Sequence, residues 1–506
     1  MAAPFLTLRP WILGLAGTIP LMGCVGPDFV PPAPPAVERF EAQPQTTMEM
    51  DGQHLRPGAD LPADWWTLFR SDALDALIVQ ALAANPDLTA AQAALRAATE
   101  ATAAQQGAFF PTVDASFSSN RSKTATASVT GSSTQTAPVT NLHTAQLTIA
   151  YSPDLWGANA RQVEGLEATA DGQRLQWQAT RLTLANNVAV GAIAEASLNG
   201  QIAATEKIVA IERDLLDILR KQRRFGHVAD ADVVLQETAL ASAEQTLPPL
   251  LKQREQQHDA LAALLGRLPA EQPIPQLDLA ALHLPDDLPV SLPALLVRQR
   301  PDIRQAEANL HAAAAAVGVA VANRLPLVSL SADMGSVGAL LSGRDTGVSP
   351  TKAGIFTPGT GFWSLAGSIA QPVFDGFALM HRQRAAEATL EQAAAQYQST
   401  VVAAFQNVAD ALAAIRWDSQ SRQAAARTAA KAEEGLEIAR RQLALGDIAY
   451  PTLLAAEQSQ LQARIALVQA DANRLSDTVA LFQALGGGWW NGTVSADKLV
   501  SGGPVL

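Results

Sequence analysis

The chain has 506 residues, a single cysteine and a formal net charge of −12, and 48% of its residues are hydrophobic. One cysteine excludes an intramolecular disulfide framework, and the acidic balance argues against nucleic-acid binding. Beyond the N-terminus, no stretch reaches the roughly 18 uninterrupted apolar residues that a membrane-spanning helix needs.

The N-terminus resembles a lipoprotein signal. Arg9 precedes a short apolar run that ends in Leu21-Met22-Gly23-Cys24, which is similar to a bacterial lipobox. Two or three acyl chains on Cys24 would anchor the chain firmly, since one chain alone binds a membrane marginally. Val25 replaces the aspartate that retains such lipoproteins in the inner membrane. We therefore expect residues 1–23 to be a signal peptide and Cys24 to be lipidated, with an incidental buried cysteine as the alternative.

The segment after the signal peptide predicts an extended tether. Residues 25–60 are rich in Pro, Gln and Thr, a composition that disfavours regular structure. The ordered part of the chain begins near Asp64-Trp65-Trp66. A helix is predicted over 72–84, where Pro86 stops it.

The rest of the chain is an internal duplication. Asn85-Pro86-Asp87-Leu88 recurs as Arg300-Pro301-Asp302-Ile303 at an offset of 215 residues (301 − 86). Phe225-Gly226 recurs as Leu445-Gly446 at an offset of 220 (446 − 226). A repeat this long is a duplicated structural unit and not a short solenoid module.

Both halves predict the same order of elements: a helix, a strand–loop–strand, a proline-free long helix and a return helix. In the first half these are 87–110, 112–121 with 141–152, 156–225 and 230–266; in the second, 302–325, 327–337 with 362–371, 376–445 and 450–486. At 1.5 Å per residue each long helix would reach about 105 Å. We expect Pro248-Pro249 to interrupt the first return helix.

Apolar residues in the helices follow a heptad spacing. Steps of four and three residues separate Val401, Phe405, Val408, Leu412 and Ile415. This spacing is typical of helices packed side by side. The first helix and the return helix of each half together nearly match the long helix in length, so we expect them to stack end to end beside it.

The predicted strands decide how many chains are needed. Strands of about ten residues with alternating polarity fit membrane strands, although soluble hairpins would look the same. Two hairpins give four strands, and the smallest membrane barrels have about eight. An open sheet in lipid leaves backbone groups unpaired. If the hairpins insert, two, three or four chains must share one barrel.

Five motifs carry a family resemblance. In chain order they are Cys24 to Pro32, Asp64-Trp65-Trp66-Thr67-Leu68-Phe69, Asp154-Leu155-Trp156-Gly157, Arg300 to Glu307, and Ala484 to Trp490. They resemble the TolC-like outer-membrane factor family in its lipoprotein, NodT-type branch. The resemblance implies a mainly α-helical homotrimer with a β-hairpin membrane part. Its twelve-stranded outer-membrane barrel would continue into a long periplasmic α-helical barrel with an equatorial belt.

The resemblance also implies a function and partners. It implies a passive exit duct for small molecules across the periplasm and outer membrane of a Gram-negative bacterium, joined to a periplasmic adaptor and an inner-membrane RND-type or ABC pump. Two alternatives stay open: a duct for type I protein secretion, and a structural periplasmic lipoprotein without a channel. The expected segments are 1–23 signal, 24–70 tether and belt, 71–266 repeat 1, 267–300 linker and belt, 301–488 repeat 2, and 489–506 tail.

No enzyme chemistry is predicted. The seven histidines are scattered without metal-ligand spacing, and no nucleophile or phosphate-binding motif stands in its required context. We expect no catalytic residue, metal or cofactor. Asp154 and Asp375 precede the long helices and fit the N-cap role, while Asp286-Asp287 is expected to be solvated in a Pro-rich linker.

The turns after the long helices are the candidate gate. Gly226 and Gly446 stand where a left-handed C-cap belongs. The resemblance implies that these turns form the periplasmic tip and hold the channel shut. We expect Asp230, Asp232 and Asp447 to form an acidic constriction that favours cations, with Tyr450 as a further tip residue. The alternative is that these are plain solvated turns.

Overall fold

A computed structural model describes residues 25–37, 39–40, 52–123, 139–271, 274–275, 277–342 and 354–492. The predicted signal peptide, the predicted lipidation site Cys24 and the tail beyond residue 492 lie outside the described residues. None of the described helices is both long and apolar enough to cross a membrane.

The elements follow the predicted order in both halves. They are β1 His54–Pro57, α1 Asp72–Ala84, α2 Pro86–Gln106, β2 Thr112–Lys123, β3 Val139–Tyr151, α3 Ala158–Arg224, α4 Asp230–Leu264, β4 Asp287–Val290, α5 Pro293–Gln299, α6 Pro301–Ala322, β5 Leu327–Ser342, β6 Gly361–Ala370, α7 Ala378–Leu445 and α8 Tyr450–Ala484. The two long helices have 67 and 68 residues, and both return helices have 35.

One helix prediction was wrong. We expected Pro248-Pro249 to interrupt the first return helix, but α4 runs through both prolines. A proline removes its own backbone donor and its ring crowds the carbonyl four residues before it, but its φ is already helical. Contacts on both sides of the pair hold the helix axis, since Glu244 pairs with Arg213 at 2.9 Å before it and Leu261 is buried after it.

The linker between the halves is more ordered than its composition suggested. β4 pairs with β1 in parallel, with His54 opposite Asp287 and Pro57 opposite Val290. Asp287 accepts a hydrogen bond from Arg56 at 2.8 Å, so this carboxylate is ion-paired as well as half-exposed. The linker therefore joins the N-terminal segment through a strand pair.

The chain forms two compact units, and each draws on both halves of the duplication. The first comprises Met1–Phe29, Glu100–Glu167 and His311–Glu391, and contains the four-stranded sheet β2-β3-β5-β6. The second comprises Val30–Thr99, Ala168–Leu310 and Gln392–Leu506. It holds the largest apolar core, in which Trp65, Phe69 and Phe482 pack with ring centroids 5.7 to 6.4 Å apart.

In the first unit, a charged cluster fixes the segment that directly follows Cys24. Arg161 is buried and forms ion pairs with Asp28 at 2.6 Å and Glu164 at 2.7 Å. Glu164 also bonds His311 at 2.8 Å, and the ring of Phe29 stacks on His311 at 4.3 Å. Burial disfavours the charged form of Glu164, but the hydrogen bonds from Arg161 and His311 outweigh it and lower its pKa.

In the second unit, the repeated Pro-Asp motif joins two helices end to end. Asn85 donates its side-chain amide to the carbonyl of Leu264, the last residue of α4, at 3.0 Å. The oxygen of the same side chain accepts from the backbone N–H groups of Asp87 at 2.8 Å and Leu88 at 3.3 Å. Asn85 therefore satisfies a free carbonyl of one helix and two free N–H groups of the next.

The second half makes the same junction with different chemistry. Arg300 donates to the carbonyl of Ala484, the last residue of α8, at 2.8 Å. Its guanidinium also pairs with Asp302 at 2.7 Å, and Asp302 accepts from the N–H of Ile303 at 2.9 Å. The expected end-to-end stacking is thus confirmed at both joints.

Buried charges gather where α7 meets α8. Arg474 is fully buried and donates to Gln53 in the segment before β1. Asp477 lies beside Asp418. Burial and the neighbouring carboxylate of Asp418 raise the pKa of Asp477 to about 7, against the opposing charge of Arg474. This carboxyl group therefore holds a proton more tightly in the folded chain than in the unfolded chain.

The junction predicts the cost of losing Asn85. Asn85→Ala removes an N-cap and a buried hydrogen bond, which should lower the free energy of unfolding by about 1–3 kcal/mol. Thr99→Ala is the control, because that hydroxyl bonds only the carbonyl of Leu95 in its own helix. Denaturant unfolding measures both variants, and an equal loss in the two would contradict the junction's role.

The buried carboxyl group predicts a pH dependence. Because the folded pKa of Asp477 lies above its ordinary value of 3.8, its protonation favours folding and stability falls as pH rises from about 4 to about 7. Asp477→Asn should remove that part of the slope. Thermal unfolding at pH 5 and pH 8 measures it, with exposed Asp410→Asn on α7 as the control. An unchanged slope in Asp477→Asn would disprove the assignment.

Candidate functional site: the amphipathic sheet and the helix-tip turns

The two hairpins form one antiparallel sheet in the order β2-β3-β5-β6. The halves meet where β3 pairs with β5, from Val139 opposite Ser342 to Tyr151 opposite Leu330. Residues directly opposite each other in a sheet lie on the same face, and successive residues alternate. The register therefore assigns every strand residue to one of two faces.

One face of the sheet is apolar. Its central rows are Val113, Ile149, Ala332 and Leu365, followed by Ala115, Leu147, Met334 and Trp363. Trp363 is 80% exposed and Leu365 is 76% exposed in the single chain. Exposed apolar area of this size on a regular sheet marks an interaction surface.

The opposite face of the sheet is polar. Asp114, Thr148, Asp333 and Ser364 lie in one row across all four strands. Asp333 accepts hydrogen bonds from Gln146 at 2.7 Å, Thr148 at 2.8 Å and Ser364 at 3.1 Å. The sheet thus has the two-faced pattern that separates an apolar phase from water.

The predicted glycines close both long helices. Gly226 has φ of +77° and Gly446 has φ of +82°, in the left-handed region where a side chain would be strained. The N–H of Gly226 donates to Arg223 at 2.9 Å and that of His227 donates to Gln222 at 3.0 Å. The second turn repeats this pattern, so both ends are Schellman caps.

The cations before these glycines connect neighbouring helices. Arg220 on α3 pairs with Glu237 on α4 at 2.8 Å, and Arg440 on α7 pairs with Glu457 on α8 at 3.4 Å. The two pairs are equivalent under the duplication. Both are partly exposed, so each contributes at most about 1 kcal/mol.

The predicted gate carboxylates have different surroundings. Asp230 pairs with Arg223, and Asp232 accepts from the backbone N–H of Ala229 at 3.0 Å. Asp447 and Tyr450 lie on the other turn and are exposed. Within the described residues, no hydrogen bond or ion pair joins the carboxylates of the first turn to those two residues.

The α3–α4 tip and the α7–α8 tip differ in a way that the sequence analysis did not predict. The side-chain amide of Gln236 on α4 donates to the buried Glu212 of α3. It donates both to the side-chain carboxylate and to the backbone carbonyl of Glu212. The equivalent positions in the second half are Ala456 and Ala432, which cannot form this bond. Comparing the halves at the offset of 220 would have found this difference.

No group of three or more His, Cys, Asp or Glu side chains among the described residues is placed to hold a metal ion. The candidate functional features are a two-faced sheet and two capped helix tips.

Both halves of the chain match one protein family. The model of the outer membrane efflux protein family matches residues 77–267 and 292–487, one match to each half of the duplication. The chain belongs to the outer membrane efflux protein family. It is therefore an outer-membrane efflux component and not an enzyme. The resemblance to the family is confirmed, while its NodT-type branch stays a prediction.

Individual relatives span most of the chain. The pyoverdine export outer membrane protein OpmQ of Pseudomonas putida is 30% identical over 431 residues, covering 84% of this chain and 88% of OpmQ. The probable efflux pump outer membrane protein TtgC of the same species is 28% identical over 498 residues, covering 97% and 98%.

Solved structures agree on the fold. The outer-membrane channel OprN superposes with a TM-score of 0.78 at 26% identity, over 92% of this chain and 100% of that one. The Campylobacter jejuni CmeC channel gives a TM-score of 0.81 at 20% identity, over 94% and 97%. At that identity CmeC supports the fold alone, which is that of a mainly helical outer-membrane channel.

Proposed function

We propose that this outer membrane efflux protein is the passive exit duct of a tripartite pump and works as a homotrimer. The observation that carries the proposal is the four-stranded sheet with one apolar and one polar face. Its outer strands β2 and β6 each pair on one side only within the described sheet. Unpaired strand edges are not tolerated in lipid, so the sheet needs neighbours.

Three copies complete the wall. Three four-stranded sheets supply twelve strands, which exceeds the roughly eight that the smallest membrane barrels need. The apolar rows then face lipid and the row containing Asp114 and Asp333 faces the bore. The helices continue the duct through the periplasm as an α-helical barrel with an equatorial belt.

The partners follow from the pump assignment. A passive duct has no energy source, so an inner-membrane pump of the RND or ABC type performs the work and a periplasmic adaptor joins the two. The relatives OpmQ and TtgC bear the names of export and efflux proteins, which supports small-molecule efflux over type I protein secretion. A structural lipoprotein without a channel would not need the two-faced sheet.

Lipidation of Cys24 completes the anchoring. The residues directly after it are held by the cluster of Arg161 and Asp28, so a lipid on Cys24 is tied to the unit that contains the sheet. A diacylglyceryl group there fixes the chain to the periplasmic leaflet of the outer membrane.

The helix tips form the gate in this proposal. Asp230, Asp232 and Asp447, repeated in three chains, give the entrance a negative potential that favours cations. Opening requires less free energy at the α7–α8 tip than at the α3–α4 tip. Among the described residues, the α7–α8 tip has no equivalent of the Glu212–Gln236 hydrogen bond or of the Arg223–Asp230 ion pair.

The lipid-facing assignment predicts a difference between two neighbouring residues. Leu365→Arg places a charge on the apolar face and should lower the stability of the inserted protein by about 2–4 kcal/mol near the bilayer centre. Ala366→Arg is the matched control on the polar face. The amount of heat-sensitive trimer on gels and folding into lipid vesicles measure the effect. Equal behaviour of the two variants would contradict insertion.

The gate assignment predicts a change in ion preference. Asp447→Asn should shift the reversal potential in a salt gradient towards weaker cation selectivity, because the carboxylate of Asp447 has no structural partner among the described residues. Asp232→Asn should shift the reversal potential in the same direction. It should also destabilise the start of α4, because the native carboxylate accepts a hydrogen bond there from the N–H of Ala229.

The control for the gate test is Asp259→Asn, an exposed aspartate of α4 far along the helix from the turn. Planar-bilayer recordings compare the three variants. If Asp447→Asn and Asp259→Asn keep the wild-type reversal potential and closed-state leak, the acidic constriction does not exist.

A further inference from the structure

A cavity of about 760 Å³ lies in the second unit, between α1 and the side of α3. Its wall includes two indoles, Trp66 and Trp177, together with the aliphatic side chains of Val79 and Leu82. The volume is in the range of small-molecule sites, and an apolar wall with few polar groups is their usual composition.

One carboxylate oxygen on this wall has no hydrogen-bond partner among the described residues. Oδ1 of Asp75 is buried and accepts no hydrogen bond from any described residue. Buried polar atoms are normally satisfied, so such an atom beside a cavity calls for an explanation. Burial, and then the charges of Asp72 and Asp64, raise the pKa of Asp75. The charged form of Asp75 therefore lacks compensation within the chain.

The cation on the same wall does not supply that compensation. Burial lowers the pKa of Arg181, and the negative charge of Asp64 opposes this shift without cancelling it. No ion pair joins Arg181 to Asp75 among the described residues, and Asp75 shows no stabilisation by a positive charge. With Asp64 balancing Arg181, the cavity keeps one negative charge at Asp75.

We propose that this cavity binds an organic cation that has an apolar body. The positive group lies against the carboxylate of Asp75 and the faces of Trp66 and Trp177. An indole face attracts a cation by its quadrupole, and the attraction grows when water is excluded. The apolar body of the ligand covers Val79 and Leu82.

The site goes beyond the proposed duct function. It is built within one chain, so binding needs neither transport nor an adaptor. It also differs from the helix-tip carboxylates, which lie at the far ends of α3 and α7. Loss of the duct function and loss of this site can therefore be observed separately.

The test uses two probes of the same shape and opposite charge. Tetraphenylphosphonium and tetraphenylborate are titrated by calorimetry into the purified full-length protein in a neutral maltoside detergent, with detergent blanks subtracted. We expect saturable binding of the phosphonium at one site per chain, and binding of the borate at least ten-fold weaker.

Variants locate the site. Asp75→Asn should weaken phosphonium binding about ten-fold or more, because the Coulomb attraction between the probe and the partly buried carboxylate is lost. Asp72→Asn is the matched control: it lies in the same first helical turn, removes the same charge and is exposed. Its affinity should stay within about two-fold of the wild type.

A third variant keeps Asp75 and removes the space. Ala83 lines the cavity and is exposed, so Ala83→Trp can fill the cavity without disturbing the core. It should abolish saturable binding. Equal affinity for the two probes, unchanged binding in Asp75→Asn, or phosphonium uptake that never saturates would each overturn the proposal.

Discussion

The fold depends on satisfying the free backbone groups where two helices meet end to end. Leu264 and Ala484 end the return helices with carbonyls that have no partner in their own helix, and the next helix starts beside each with free N–H groups. At one joint, the side chain of Asn85 bonds both the free carbonyl and the free N–H groups. At the other joint, Arg300 bonds the free carbonyl and Asp302 bonds a free N–H group. These joints let two short helices act as one continuous partner of a long helix.

The joints also explain why the duplicated motif is short and contains proline. Pro86 and Pro301 stand at the first position of a helix, where a missing N–H costs nothing and the fixed φ is favourable. Gly266 lies directly against Ala84. A Cβ atom at position 266 would come within 2.5 Å of the carbonyl oxygen of Ala84, so glycine allows the end of the return helix to approach this closely. The chemistry at the joint differs between the halves, but the geometric requirement is the same.

Much of this fold could be predicted because its signals are local. Proline positions and heptad spacing locate the helices, and alternation locates β2, β3, β5 and β6. The pairing of β1 with β4 could not be predicted, since strands of four residues carry no periodicity and pair across the linker. The helical path of α4 through Pro248 depends on contacts with α3 that no local pattern encodes. The cavity beside Asp75 is likewise visible only in three dimensions.

The duplication separates what assembly requires from what a gate requires. A wall of equivalent hairpins needs the two halves to match, and they do match at the caps and at the pairs Arg220–Glu237 and Arg440–Glu457. In the gate that we propose, the α7–α8 tip yields before the α3–α4 tip. The buried Glu212–Gln236 bond is present in only the first half, and a buried charged hydrogen bond contributes more than an exposed ion pair. In the gate that we propose, the symmetric surface pairs thus set the alignment of the tips, while one asymmetric buried bond sets the order in which they loosen.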